Sequence, residues 1–195
     1  IGDINDLFRV RIQMQERRKR LNKHLVMATG GRGRENKLKA LDSLSDKERN
    51  FVRTYNHTVS NRIVQFALKH SAKTIKMELL EGYGDDDKNK LILRNWSYFE
   101  LHTMTEYKAK KYGMEVVYTD PYRNSGTCNC CGEFNELNLE NRNDFICKNA
   151  KCDNFNVKVF SDYNAALNNA KSLKIVSKKE DCQFYKKYNE QEQES

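Results

Sequence analysis

Apolar residues recur at helical spacing through the first part of the chain. Leu7, Val10, Met14, Leu21 and Leu25 mark one face of an amphipathic helix over residues 6–28. The run Thr29-Gly30-Gly31-Arg32-Gly33-Arg34 breaks it. Leu38, Leu41 and Leu44 begin a second helix, and Phe51, Tyr55, Val59, Ile63 and Phe66 carry its stripe to about residue 70. Ser45 and Glu48 have capping-box spacing, which predicts a break or restart near 45. The period then drops to two. Thr74 to Leu80 alternates apolar and polar residues and reads as a short strand, and Met114 to Thr119 reads as another, ended by Asp120-Pro121. Between them, Ser97 and Glu100 form a second capping box ahead of Leu101, Met104 and Tyr107, in a helix that Gly113 closes. A last helix runs through Ala165, Ala166, Leu167 and Ala170, with Ser161 or Asp162 as its cap. Residues 175–195 are mostly Lys, Glu, Gln and Asn and are expected to fray. This alternation of helix and strand predicts an α/β chain with both strands in one sheet, flanked by long helices.

The length of 195 residues, a single proline and the lack of a Gly/Ser linker fit one medium domain, or one domain with a small insert. No apolar run approaches membrane-spanning length, and no signal-peptide pattern is visible. The chain opens on Ile1 rather than methionine, which fits a fragment or a processed piece. Charge changes the picture more. The net charge is +8, yet residues 1–72 carry sixteen Lys and Arg against seven Asp and Glu. A basic half points to a polyanion such as nucleic acid. Arg17, Arg18, Lys19, Arg20 and Lys23 on the first helix, with Arg32, Arg34 and Lys37 at the glycine turn, are the candidate phosphate contacts. A solvated helix face and an ordinary turn fit them as well. The turn is not a P-loop, because no Gly-Lys-Ser/Thr follows. His24, His57 and His70 lack a second ligand type at metal spacing and read as surface or packing residues. The run Asp85-Asp86-Asp87 lacks calcium-loop spacing and reads as solvated.

Two groups of residues carry candidate chemistry. Cys128 and Cys131 have two residues between them and Gly132 after them; Cys147 and Cys152 have four between them. A tight turn followed by glycine aims two thiolates at one point, and four soft ligands in two pairs match tetrahedral Zn²⁺. A disulfide or buried thiols are the alternatives. Cys130 reads as a spare thiol and Cys182 as a bystander in a polar tail. Metal-type cysteines without secretion signals fit a reducing cytosol. Glu78 near the end of a strand and Asp162 at the start of a helix form the second group. Carboxylates converging from separate elements suit Mg²⁺ and phosphodiester cleavage, although capping alone accounts for Asp162.

The segments I-K-M-E-L-L at 75–80, W-S-Y-F-E-L at 96–101, E-Y-K-A-K-K-Y-G at 106–113, P-Y-R-N-S-G-T-C-N-C-C-G at 121–132 and D-Y-N-A-A at 162–166 follow one another in this order. Together they resemble the C-terminal part of the RNA-guided nucleases of the TnpB and compact type V CRISPR effector group, over residues 6–171. Y-N-H-T-V-S-N-R-I-V-Q-F-A at 55–67 favours the CRISPR effectors. The resemblance implies a partial RNase H-like (RuvC) domain with an inserted zinc ribbon. It divides the chain into a nuclease part at 1–123, a ribbon that binds target nucleic acid at 124–158, a final nuclease helix at 159–174 and a polar tail at 175–195. It gives Glu78 and Asp162 the second and third catalytic carboxylates, with catalytic Mg²⁺ and structural Zn²⁺. It implies guide RNA, target DNA and a possible homodimer as partners, in the cytoplasm of a prokaryote or phage host. Three departures stand out. The family's first catalytic aspartate, on an early strand, has no counterpart here; Asn124 stands where threonine is usual; and the second cysteine pair is wider than the common two-residue gap. Two readings therefore remain. One is the nuclease part of an RNA-guided DNA endonuclease. The other is a non-catalytic zinc-ribbon nucleic-acid-binding module from a truncated transposon-type TnpB protein.

Overall fold

The computed structural model describes residues 4–28, 30–80, 98–141, 143–178 and 181–183. The acidic run at 85–87, Ser97 and the tail beyond 183 lie outside them. The chain forms two compact units, Ile1–Ala72 with Gly84–Gly113, and Lys73–Tyr83 with Met114–Ser195. Both expected strands and the four paired cysteines fall in the second unit. No described helix is long and apolar enough to cross a membrane.

The first unit is helical: α1 spans Ile4–Val26, α2 Gly31–Lys69 and α3 Tyr98–Lys110. Gly30 at φ 148° and Gly31 at φ 67° make the turn, in backbone conformations that side chains disfavour. α2 then runs back along α1 and buries Leu44, Val52, Val59, Val64 and Ala67 on one stripe. The break expected near Ser45 does not occur. Glu48 does not reach back to the backbone as in a capping box; it accepts from Arg18 at 2.6 Å and pairs with Arg11 at 3.2 Å. Asn56 and Lys108 tie α2 to α3. Asn56 Nδ2 donates to Glu100 at 2.8 Å, and Lys108 Nζ donates to Ser60 Oγ and the His57 carbonyl, each at 2.7 Å.

The second unit holds both expected strands in one sheet. β1 (Thr74–Glu78) and β2 (Glu115–Thr119) are parallel, with Glu78 opposite Thr119. β3 (Asp144–Ile146) and β4 (Lys158–Phe160) form a separate antiparallel pair that leads into helix α4 (Ser161–Lys171). Phe160 occupies the cap position of α4 and makes no side-chain cap bond. The expected Ser161 or Asp162 cap is therefore replaced: both lie inside the first turn, where the Asp162 charge favours the helix dipole.

The tail expected to fray from residue 175 begins instead as a strand. β5 (Ile175–Val176) adds antiparallel to β2, giving the order β1-β2-β5. Val176 and Cys182 are buried with Leu79, so Cys182 is a core residue rather than a bystander. Apolar positions spaced this widely in a polar run carry no period, which is why the sequence hides them. Asp120 fastens this segment. Its Oδ2 accepts the Gln183 N–H at 2.7 Å and Lys174 Nζ at 3.1 Å, and its Oδ1 accepts the Tyr122 N–H at 3.0 Å.

Burial opposes the Asp120 charge, but the Gln183 and Tyr122 N–H groups and Lys174 outweigh it and hold the carboxyl below its usual range. A depressed carboxylate stabilises the fold above its unfolded value of about 3.9, and that stabilisation is lost as pH falls through the native value. Amide exchange at Val176 and Gln183, corrected for its intrinsic pH dependence, should stay protected from neutrality down to about pH 4 and lose protection below it. Asp120→Asn should remove this pH dependence. Protection that is flat with pH in the unsubstituted chain counts against the role of Asp120.

Candidate metal centre and carboxylate site

All six cysteines are free thiols. The sulfurs of Cys128, Cys131, Cys147 and Cys152 lie within 4.8 Å of one another, a cluster that could hold a metal ion. Cys128 to Cys152 and Cys131 to Cys147 both measure 3.9 Å. A tetrahedral zinc with bonds of about 2.3 Å spaces its sulfurs about 3.8 Å apart, so the donor set fits that ion. Cys130 is exposed and stands outside the cluster.

Local backbone chemistry aims the thiols. In the first pair, the Gly132 N–H donates to the Cys128 carbonyl at 2.9 Å and the Cys128 N–H to that of Glu133 at 3.0 Å, with Gly132 at φ 75°. The wider second pair closes through Asn149, whose side chain accepts the Lys151 N–H at 2.9 Å and whose carbonyl accepts the Cys152 N–H at 3.0 Å. Asn156, at φ 56°, returns its N–H to the Cys147 carbonyl at 3.0 Å. Phe145, 2% exposed, packs among the cysteines. Burial pushes the Cys147 thiol up to about 12 and raises Cys128 as well, while the Glu133 N–H holds Cys131 below the usual thiol range. Coordination to a cation reverses the burial effect, because it needs thiolates.

Glu78 is the last residue of β1, two positions from Lys76 and so on the same strand face. Both side chains meet α4. Lys76 Nζ donates to the carbonyls of Ala170 at 2.8 Å and Ser172 at 2.7 Å, satisfying groups that the helix end leaves open. Glu78 Oε1 accepts from Asn169 Nδ2 at 3.2 Å and from Asn124 Nδ2, which also lies 3.3 Å from the Ala165 carbonyl. The Thr119 hydroxyl donates to Asn169 Oδ1 at 2.8 Å, which turns the amide so that its nitrogen faces Glu78. Asp162 is exposed and seven residues before Asn169, hence on the same helix face about 10 Å along the axis. β1 thus presents Glu78 to the face of α4 that begins with Asp162. Among the described residues, the cysteines are the one group of three or more potential ligands close enough to share an ion.

The segment that carries the first cysteine pair is laced to the same helix. Asn164, fully buried, accepts the Asn129 N–H at 3.0 Å and its side chain at 2.9 Å, and donates to the Thr127 carbonyl at 2.7 Å. Asn168 Nδ2 donates to the carbonyls of Asn124 at 2.9 Å and Thr127 at 2.8 Å. The sequence reading noted Asn124 only as a departure and passed over Asn164, Asn168 and Asn169. The available signal was three asparagines, poor helix formers, in one eleven-residue helix.

The predicted phosphate contacts divide. Arg34 Nη1 reaches the carbonyls of Ala28 at 3.2 Å and Leu25 at 3.4 Å, and Lys37 Nζ reaches that of His24 at 3.0 Å, so both close the end of α1. Arg18 is bound to Glu48, and Lys19 pairs with Glu16 at 2.9 Å. Arg17, Arg20, Lys23 and Arg32 are exposed.

Comparison with known proteins fits this arrangement. Residues 98–169 match the family model "Cas12f1-like, TNB domain". The chain is 41% identical over 126 residues to the CRISPR-associated endodeoxyribonuclease Cas12f1 of Syntrophomonas palmitatica, a match covering 65% of this chain and 25% of that protein. It is 35% identical over 181 residues to a Cas12f1 from an uncultured archaeon, covering 91% and 34%. A cryo-EM structure of a CRISPR-Cas12f ternary complex superposes with a TM-score of 0.70 at 33% identity, over 89% of this chain and 34% of that one. The chain is therefore a relative of the compact type V effectors and TnpB-like proteins, and it spans a quarter to about a third of the length of these relatives.

Asn164→Ala removes a buried group that satisfies the Thr127 carbonyl and the Asn129 N–H at once. It should cost about 2–3 kcal/mol in denaturant unfolding, against less than about 0.5 for Tyr163→Ala at the exposed neighbouring position. Equal effects of the two substitutions would remove Asn164 from its anchoring role.

Proposed function

We propose that the chain is the RuvC-like, zinc-ribbon part of an RNA-guided DNA endonuclease, working in a prokaryotic cytoplasm on target DNA paired with guide RNA. The observation that carries this reading is the docking of Glu78, at a strand end, on the helix that opens with Asp162. The family match over residues 98–169 and the relatives named as endodeoxyribonucleases support it. Mg²⁺, when bound, supplies an activated water and offsets charge on the scissile phosphate. The chain's own contribution is to hold oxygen ligands still. Two amides pin Glu78 on Oε1, which leaves Oε2 to face a cation without rotating. Asp162 stands open to solvent and substrate. Cys128, Cys131, Cys147 and Cys152 hold Zn²⁺, whose binding energy is folding energy for a module this small. Arg17, Arg20, Lys23 and Arg32 contact phosphates without reading bases.

Metal analysis should find one zinc per chain. Cys147→Ser and Cys131→Ser should lose it, and Cys130→Ser should keep it. Full zinc in Cys147→Ser would refute the ligand set.

The chain alone should not cut single-stranded DNA in Mg²⁺, because two carboxylates leave too much phosphate charge uncompensated. In a chimera where it replaces the matching part of the Syntrophomonas palmitatica relative, guided DNA cleavage should return. Glu78→Gln or Asp162→Asn should then lower the rate at least about a hundredfold. Undiminished cleavage by the Asp162→Asn chimera defeats the carboxylate assignment.

A further inference from the structure

We propose that Arg123 forms a binding site for a backbone phosphate of a DNA strand beside Glu78. The proposal rests on the nuclease reading and adds a residue outside both the carboxylate pair and the basic helices. Arg123 adopts φ 58°, a left-handed conformation that a residue with a side chain keeps only when its surroundings impose it. Thr127 imposes it here, donating to the Arg123 carbonyl through its N–H at 3.1 Å and its hydroxyl at 2.8 Å. The side chain is held too. Its guanidinium carbon lies 4.2 Å from the centre of the Phe134 ring and 5.1 Å from that of Tyr122. Phe134 reaches this place because residue 126 is glycine; a Cβ there would meet the ring edge at 2.8 Å.

Contact with the two rings holds the guanidinium and leaves its N–H edge for another partner. The residue is exposed, and among the described residues no protein acceptor meets that edge. A planar, pre-positioned donor edge matches a phosphodiester, which it can grip through two parallel hydrogen bonds. Because the ring contacts already hold the side chain, little rotamer freedom is lost on binding. Its place in the chain supplies the substrate. The next residue is Asn124, whose amide holds Glu78, so the backbone that carries Arg123 is fastened to that carboxylate.

The test is binding of the zinc-loaded 195-residue chain to fluorescein-labelled oligothymidylate and oligouridylate, by anisotropy across a salt series. In the unsubstituted chain the DNA should bind with a measurable salt slope. Arg123→Gln should weaken it about tenfold at low salt and flatten the slope of log K against log salt by about 0.7, the share of one single-strand phosphate. Arg123→Gly suits the left-handed backbone, so it should unfold no more easily than the parent chain and still lose the same affinity. Arg123→Lys keeps the charge and should keep the slope. An Arg123→Gln slope equal to the parent's overturns the site, as does a loss confined to the RNA. The same unchanged slope, alongside cleavage abolished by Asp162→Asn in the chimera, removes Arg123 and leaves the nuclease reading standing. A chain that binds no DNA overturns the phosphate site outright.

Discussion

Helix α4 has little apolar surface with which to hold its place. Its buried residues are Ser161 and Asn164, both polar. Its position depends on amide hydrogen bonds from Asn164, Asn168 and Asn169, with Lys76 closing the carbonyl end. Hydrophobic burial is non-directional and tolerates sliding, whereas a buried amide loses its bonds when displaced by a fraction of an ångström. A helix held this way is located in register as well as in depth. That is the property needed where a carboxylate must be set against a neighbour on another strand.

The same bonds join the two halves of the second unit. The first cysteine turn presents Thr127 and Asn129 to Asn164, and a few residues earlier the chain presents Asn124 to Glu78. Order around the cysteines is thus passed to the strand end through residues 124–129 and the Asn124 amide. The cysteine cluster and the carboxylate face are one construction, joined by hydrogen bonds through residues 124–129.

Much of this was legible from the residues. Period-two alternation located both strands, and the two cysteine spacings picked out the four clustered thiols and set Cys130 aside. The failures have one cause: a local pattern was read where a distant partner decided the outcome. Ser45 and Glu48 make a capping box in isolation, but Arg11 and Arg18 claim the carboxylate from another helix. Val176 and Cys182 sit in a polar run whose composition predicts disorder, and a single strand pairing with β2 buries them. Asn124 is silent in sequence because an amide shows its role only when the carboxylate it meets is known.

Anchoring by asparagine sets a chemical clock on the site. Asn124 is followed by Ser125, a small residue that hinders attack by the backbone nitrogen on the side-chain amide little. Loss of ammonia there closes a succinimide, and its hydrolysis by water leaves an aspartate or isoaspartate carboxylate facing Glu78, where an amide donor had been. Two carboxylates at that separation cannot both stay ionised without a cation between them. Ageing of the purified chain would therefore set a second carboxylate against Glu78 with the rest of its sequence unchanged.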